Sequence, residues 1–446
     1  MANIRFNGTV QDVAQVTTST ASGTFSTGDK VWATIGTSTV EVTLGATVTL
    51  SQVASSLGIA INASDKTTGL VDETRNIGGQ TRGEFRDVVA TYSGAVLTLT
   101  SVSPGVDFTV TFGDDSSGTM GAATEVTAAT GKNWFNNAGN WDGGSAPGSG
   151  DIPVFSNLSV ACTRGLNTIT NIDGVTRLGS YTADIGLPLI NTTHTSYPYP
   201  EYRNRFLLAD KSTDGAIFRL GDGTGKSTGI TKINNYQHDA QYYINDSAPK
   251  DRYGNNAIEI ISDDGGTGGG VEVYVINGTV DIGMQYGDYT AGTGCEIEHI
   301  KVWGGFVRIE GQVEPASELA LYGGQIDNYT SMTNFSTLTL EGGKLIHHEG
   351  GTPGMTIGSG CEVDIRSNAA PLADLIVMGG GSLTFDNDYR NKSMINMDIR
   401  LYDGARFSDV RGVAVPSGTG EYFFLNSTTN DNISLPENYS YAPTAL

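Results

Sequence analysis

Between residues 273 and 407 the chain repeats a short apolar pattern, and few folds can accommodate such a repeat. Ile300-Lys-Val302-Trp-Gly304-Gly305 is followed by Leu319-Ala-Leu321-Tyr-Gly323-Gly324, then by Leu338-Thr-Leu340-Glu-Gly342-Gly343, each 19 residues after the last. Ile376-Val-Met378-Gly-Gly380-Gly381 aligns on its glycines two periods later, and Met355-Thr-Ile357 fills the gap slightly out of step. Val273-Tyr-Val275 opens the series and Ile399-Arg-Leu401 closes it. A fixed period near ~20 residues marks a solenoid. Apolar residues at every second position are a strand signal. Gly-Gly, Asn-Gly and Asp-Gly then supply tight bends. One such unit cannot bury its own apolar side, but stacked units can. The expectation is a parallel β-helix with rungs of about 19 residues. A leucine-rich repeat would need helix formers where these units carry Gly, Thr, Ser and Asn. A six-residue left-handed repeat also fits poorly.

The rest of the chain reads as all-β. Residues 1–127 are expected to form a small β-sandwich-like domain. Lys30–Ile35 and residues 39–44, 96–100 and 108–112 alternate apolar and polar, with a hairpin turn at Tyr92-Ser93-Gly94-Ala95. One helix is expected, with Leu50, Val53, Ala54, Leu57 and Ile61 on one face and a capping box at Thr49-x-x-Gln52. Residues 114–131, rich in Gly, Ser, Thr and Ala, read as an inter-domain linker or long surface loop. Residues 128–151 then form a linker and cap. Trp134 and Trp141 within it either offer a sugar-stacking platform or fold over the open end of the solenoid, and solenoid ends need such cover. The β-helix follows over 152–412, with Phe218-Arg-Leu220 as an early rung. Residues 413–446 contain no Lys or Arg and carry Tyr422, Phe423, Phe424, Tyr439 and Tyr441; they read as a C-terminal cap or inter-subunit arm.

Charge excludes some partners. With 26 Lys+Arg against 48 Asp+Glu the net charge is −22. A nucleic-acid-facing surface would need clustered cations, so no nucleic-acid partner is expected. No apolar run is long enough to cross a membrane, and the N-terminal residues have no apolar signal core. Three widely spaced cysteines, Cys162, Cys295 and Cys361, suggest reduced buried thiols.

Candidate chemistry is sparse. Gly221-Asp-Gly-Thr-Gly225-Lys226-Ser227 resembles a phosphate loop but has three residues between its glycines where four are needed, and a strand pattern follows it. Asp263-Asp264 and Asp386-Asn-Asp388 lack a full calcium ligand set and read as turns. His347-His348-Glu349 alternates faces and reads as an exposed loop. Glu310 and Asp327 sit at near-equivalent places in neighbouring units, as a carboxylate pair for glycoside cleavage would, but among 48 acidic residues such pairs arise by chance. No catalytic, cofactor or metal residue is therefore assigned, and no cofactor is expected.

Several stretches resemble a group of phage-encoded virion proteins. They are Met1-Ala-Asn-Ile-Arg-Phe…Val13-Ala-Gln-Val16, Gly28-Asp-Lys-Val-Trp-Ala-Thr-Ile35, Ala60-Ile-Asn62-Ala63 and Gly105-Val-Asp-Phe-Thr-Val110. Trp134…Asn140-Trp141…Gly144…Pro147…Asp151, Ile185-Gly-Leu-Pro188 and Glu201-Tyr-Arg203 extend the likeness over most of the first 205 residues. The resemblance implies a non-enzymatic structural protein of a tailed bacteriophage, a capsid decoration or cement protein assembled in the host cytoplasm. Its expected partners are the major capsid protein and two further copies in a homotrimer. The alternative is a tail fibre or tailspike, with a host-surface glycan as its partner.

Overall fold

The computed structural model describes residues 2–36, 38–45, 48–62, 74–76, 85, 88–166, 172–186, 207–209, 215–224, 229, 231–236, 240–246, 257–263, 271–283, 297–310, 313–371, 373–385, 394–395, 398–409, 416–417, 422–425 and 433–434. Among these the protein is mostly β, with one α-helix, Leu50–Asn62.

Two long parallel sheets dominate, one of 13 strands and one of 11. Each takes its strands in chain order, and from Gly174–Arg177 onward successive strands alternate between the two sheets, apart from Met394–Ile395 and Pro416–Ser417, which pair with each other. The sequence period sets the register. Val275, Val302, Leu321 and Leu340 are consecutive partners in the larger sheet. Ile282, Ile309 and Asn328 are consecutive partners in the smaller. Alternation sends Ile300, Val302, Val307 and Ile309 inward, all fully buried. The inward residues of both sheets belong to one continuous cluster that extends from Phe6 to Phe407. Each buried aliphatic side chain contributes about 1.5–3 kcal/mol relative to exposure. Phe218 and Leu220 lie in this series, level with Tyr242 and Ile244.

The glycine pairs make the bends. Gly305, Gly324 and Gly343 have φ of +82°, +76° and +80°. A Cβ on Gly324 would lie 2.6 Å from the carbonyl oxygen of Gly305 in the preceding unit, so the stacked bends leave no room for a side chain. One alignment needs correction. Matching the glycines of 376–381 to the earlier units would point Ile376 and Met378 inward. Instead Leu375 and Val377 are buried and paired with Met355 and Ile357, while Met378 is 38 % exposed. A third glycine in this bend takes up the one-residue offset.

The N-terminal sheets hold a second core, formed from residues between Ala21 and Met120. A five-stranded antiparallel sheet (Thr124–Thr127, Val16–Ser22, Val96–Ser101, Val88–Ser93, with Thr119–Met120 also on Val16–Ser22) accompanies a four-stranded one (Thr74–Asn76, Ser38–Thr43, Lys30–Ile35, Val110–Asp114). The helix carries the expected capping box: Gln52 N–H donates to Thr49 Oγ1 at 3.3 Å and Thr49 N–H to Gln52 Oε1 at 2.7 Å. At its far end the Asn62 amide bonds both backbone groups of Ala90, at 2.6 and 2.8 Å, and so satisfies that residue on the edge strand Val88–Ser93.

Two expectations about this region change. Residues 114–131 are not a linker, because Thr119–Met120 and Thr124–Thr127 pair with Val16–Ser22 and Met120 is buried. Threonine suits strands as well as loops, and here the ladder decides. The strand Asn3–Arg5, expected within the N-terminal domain, lies in the 13-stranded sheet beside Ile152–Phe155. The N-terminal sheets are therefore inserted between the first two strands of that sheet.

The two chain segments crossing this junction are bound together. Residue 13 bridges residue 130 and Lys132 pairs with Asp12 at 3.5 Å, while Arg164, beyond the junction, pairs with Asp107 next to the strand Val110–Asp114. Asn140 is wholly buried; its amide donates to Gly131 O at 2.7 Å and Trp134 O at 2.9 Å, and its oxygen accepts from Val10 N–H at 3.1 Å. Trp141 is buried among Phe6, Phe135 and Phe155, with ring centroids 5.0–5.7 Å away, and donates its indole N–H to Phe135 O. No face of Trp141 is left for a sugar. Trp134 is half-buried and donates to Gly105 O at 2.9 Å.

Candidate functional site

Within the two parallel sheets the inward side chains are packed, so among the described residues there only outward-pointing ones are open to chemistry. On the smaller sheet, Glu310 and Asp327 do project from neighbouring strands on the same face. In register, however, Asp327 faces Arg308, not Glu310. Glu310 ion-pairs with Arg308. Gln325 Nε2 donates to Asp327 Oδ1 at 2.7 Å, and His348 Nε2 lies 3.9 Å from Asp327 Oδ2. Tyr329 stacks on the His348 ring at 4.0 Å, and the Arg308 guanidinium lies 5.4 Å from the Tyr329 centroid. Burial alone would raise the Asp327 pKa, but the nearby His348 ring and the hydrogen bond from Gln325 more than offset it and hold the carboxyl below its usual range. A general acid needs the opposite shift. The arrangement joins adjacent strands by charge and does not form an acid–base pair.

His347, His348 and Glu349 are not in a loop. They lie within Gly343–Thr352, and alternation sends His348 out and His347 in, where it is fully buried. Asn328 Nδ2 lies 3.0 Å from His347 Nδ1 and donates to a neutral ring. Burial is the main cause of a His347 pKa lowered to about 4. The unfolded chain takes up this proton near pH 6.5, so His347 opposes folding increasingly as pH falls from about 6.5 to about 4. Relative to His347→Gln, the wild type is expected to lose about 3 kcal/mol across that window and nothing above pH 7. Parallel pH–stability curves for the two proteins, from denaturant midpoints, would refute this.

On the larger sheet an aromatic strip crosses the outward face. Tyr243 and Tyr274 are register partners with rings stacked at 5.0 Å and 10°. One rung on, Trp303 and Tyr322 stack at 5.4 Å and 18°, each placed just before a Gly-Gly bend. Tyr243 is 40 % exposed, Ile276 53 %, Trp303 47 % and Tyr322 38 %. A polar row runs alongside. Gln241 Nε2 reaches Glu272 at 3.3 Å, Tyr274 donates its hydroxyl to Glu272, and Tyr243 donates to Gln241 at 3.2 Å. Lys301 pairs with Glu318 at 3.0 Å, and His299 lies 3.4 Å from the same carboxylate. Burial and the Glu272 contact push the Tyr274 phenol well above its usual range. Sequence reasoning missed this strip, although an aromatic residue before Gly-Gly at the repeat spacing was a visible signal.

The remaining candidates are quickly placed. Asp222 accepts from Thr224 N–H at 3.0 Å and from its hydroxyl at 2.6 Å, an ordinary polar turn that lowers its pKa. Lys226, Ser227, Asp264 and Asp386–388 lie outside the described residues, as do Cys295, 187–206, Tyr439 and Tyr441. Among the described residues no three metal-type side chains gather, and no helix is long and apolar enough to cross a membrane. Cys162 and Cys361 are free and buried; burial raises both thiols, Cys361 to about 12, so neither is a nucleophile at neutral pH. Compared with known proteins, the chain matches no family model, no curated protein and no solved structure.

Proposed function

We propose that the two parallel sheets are walls of one parallel β-helix, and that the protein is a non-enzymatic structural component of a tailed-phage particle that decorates the outside of the head. One observation carries the reading. Strands alternate between two sheets in chain order around one shared core, which suits a stiff spacer. The carboxylate pair weighed as an example for glycoside chemistry, Glu310 and Asp327, is already engaged by Arg308, Gln325 and His348.

In this reading the domain within residues 1–127 holds the particle through the major capsid protein, 152–412 projects as the β-helix, and 413–446 caps it or reaches a neighbouring copy. The N-terminal sheets carry exposed Val89, Val102 and Val126, apolar positions on a strongly acidic chain that suit a protein contact. The protein is expected to be a homotrimer. Counting copies in purified particles and locating the chain in an electron-microscopy map tests the placement: hundreds of copies on the head fit it, and a few trimers on the tail sink it. Light scattering that gives a concentration-independent 46.9 kDa species would rule out the trimer in solution.

A further inference from the structure

We propose that the corner formed by residues 328–331 and 347–352 binds one water molecule inside the stack, held by Asn328, His347 and Thr352. The site goes beyond the structural role and does not depend on where the protein sits on a particle.

The row that holds the site is apolar on both sides. Ile282, Ile309, Asn328, His347, Ile365 and Phe385 are successive partners in the smaller sheet. Asn328 and His347 thus face each other between Ile309 and Ile365, and neither isoleucine side chain has a polar atom. Both residues are fully buried, as is Thr352. Among the described residues no hydrogen-bond partner reaches Asn328 Oδ1, His347 Nε2 or Thr352 Oγ1. A buried polar atom left so costs folding free energy, and native cores nearly always satisfy it with protein or with ordered water.

The three atoms belong to one bend. Beyond His347 the strand Gly343–Thr352 turns at Gly350, whose φ is +92°, and brings the enclosed Thr352 to the far side of the corner. The preceding rung is close there. Ser331 Oγ accepts from Gly351 N–H at 3.2 Å, and a Cβ on Gly350 would lie 2.7 Å from Ser331 Cα.

Hydrogen bonding fixes what each atom offers. The Asn328 amide nitrogen gives one proton to Thr330 O at 2.7 Å and the other to His347 Nδ1 at 3.0 Å. Turned over, the amide would set Oδ1 against the Thr330 carbonyl. Nδ1 therefore accepts, and the ring proton sits on Nε2. The backbone of Gly350 and Gly351 also favours protonation of this ring, while no acceptor stands in hydrogen-bond geometry to Nε2. The corner thus presents a donor in His347 Nε2–H, an acceptor in Asn328 Oδ1, and a Thr352 hydroxyl that can be either. A metal ion cannot ligate a protonated nitrogen, an anion is repelled by Oδ1, and a cation is repelled by the N–H. Water both accepts and donates, and a buried water makes ~3 hydrogen bonds.

The experiment uses the full chain. In a high-resolution crystal structure, one density peak is expected within hydrogen-bond distance of all three atoms, with no anomalous signal at transition-metal edges. Nitrogen NMR of labelled histidine at neutral pH should show His347 protonated on Nε2 and bare on Nδ1. Asn328→Leu combined with His347→Leu continues the isoleucine row, and water-oxygen relaxation dispersion should then count one long-lived water fewer per chain than in wild type. Should that variant fail to fold, the wild-type crystal and the histidine spectra still decide. The proposal is overturned if the corner holds no peak, if the peak is a metal ion, if Nε2 bonds directly to a carbonyl of Gly350 or Gly351, or if Nδ1 carries the proton. An unchanged count of long-lived waters in the folded double variant overturns it as well.

Discussion

Asp246→Ala is expected to destabilise the protein by about 3–5 kcal/mol, among the largest single-residue effects in the chain. Asp246 is 1 % exposed and Arg177 is fully buried; their charged atoms lie 3.6 Å apart inside the stack. Arg177 also donates to Gly229 O at 3.0 Å and to Thr231 Oγ1, and lies 5.7 Å from the Tyr181 ring. Burial lowers the Arg177 pKa and Asp246 works against that, so the guanidinium depends on this partner. Removing the carboxylate leaves a buried cation with the neutral acceptors Gly229 O and Thr231 Oγ1 and only the smaller influence of Tyr181 and Asp184. Replacing both residues, as in Arg177→Met with Asp246→Leu, should cost much less, because neither charge is then desolvated. Denaturant midpoints of the three variants decide the matter. If the double variant is as unstable as Asp246→Ala, the loss comes from packing and not from an orphaned charge.

Gly324→Ala should cost more than about 3 kcal/mol, and Gly94→Ala only about 1 kcal/mol, although both glycines have positive φ. At Gly94 a Cβ meets nothing within 4 Å, so only the left-handed backbone opposes it. At Gly324 it would lie 2.6 Å from Gly305 O and 2.7 Å from Gly304 C, both backbone atoms of the neighbouring unit. Neither can move aside without parting two rungs. Gly324→Ala should therefore also speed hydrogen exchange at Gln325 and Lys344, whose N–H groups donate to the carbonyls of Gly305 and Gly324. Equal destabilisation by the two substitutions would mean that φ alone sets the cost.

The repeats show what the sequence makes legible. Strand alternation at Val302, Leu321 and Leu340 could be read directly, because a single inward face leaves one allowed register. The helix was legible too, since its cap is a local pattern. The third glycine at 379–381 hid a one-residue shift, because aligning on glycines assumes bends of equal length. The segment 114–131 misled because its composition serves both loops and edge strands. Arg177 and Asp246 lie far apart in the chain, and nothing local pairs them. His347 resembles its neighbour His348 in sequence, and only the phase of the strand separates a fully buried ring from a half-buried, outward-facing one.

The insertion of the N-terminal sheets has a mechanical consequence. They are joined to the stack by two segments, not one, and both are anchored. Tension on the outgoing segment at Phe6 is resisted by the bonds Phe6 N–H to Val154 O at 3.0 Å and Ile152 N–H to Ala2 O at 2.9 Å, on either side of Asn3–Arg5. When such a strand is drawn along its own axis, its bonds share the pull in shear instead of peeling one by one. The returning segment adds Asn7 N–H to Asn140 O at 2.7 Å and Asp142 N–H to Arg5 O at 2.9 Å, which tie the two tethers to each other. A drag force on the stack is thus passed to the N-terminal sheets through a doubled, cross-braced joint, and one proteolytic cut in either tether leaves the two bodies connected.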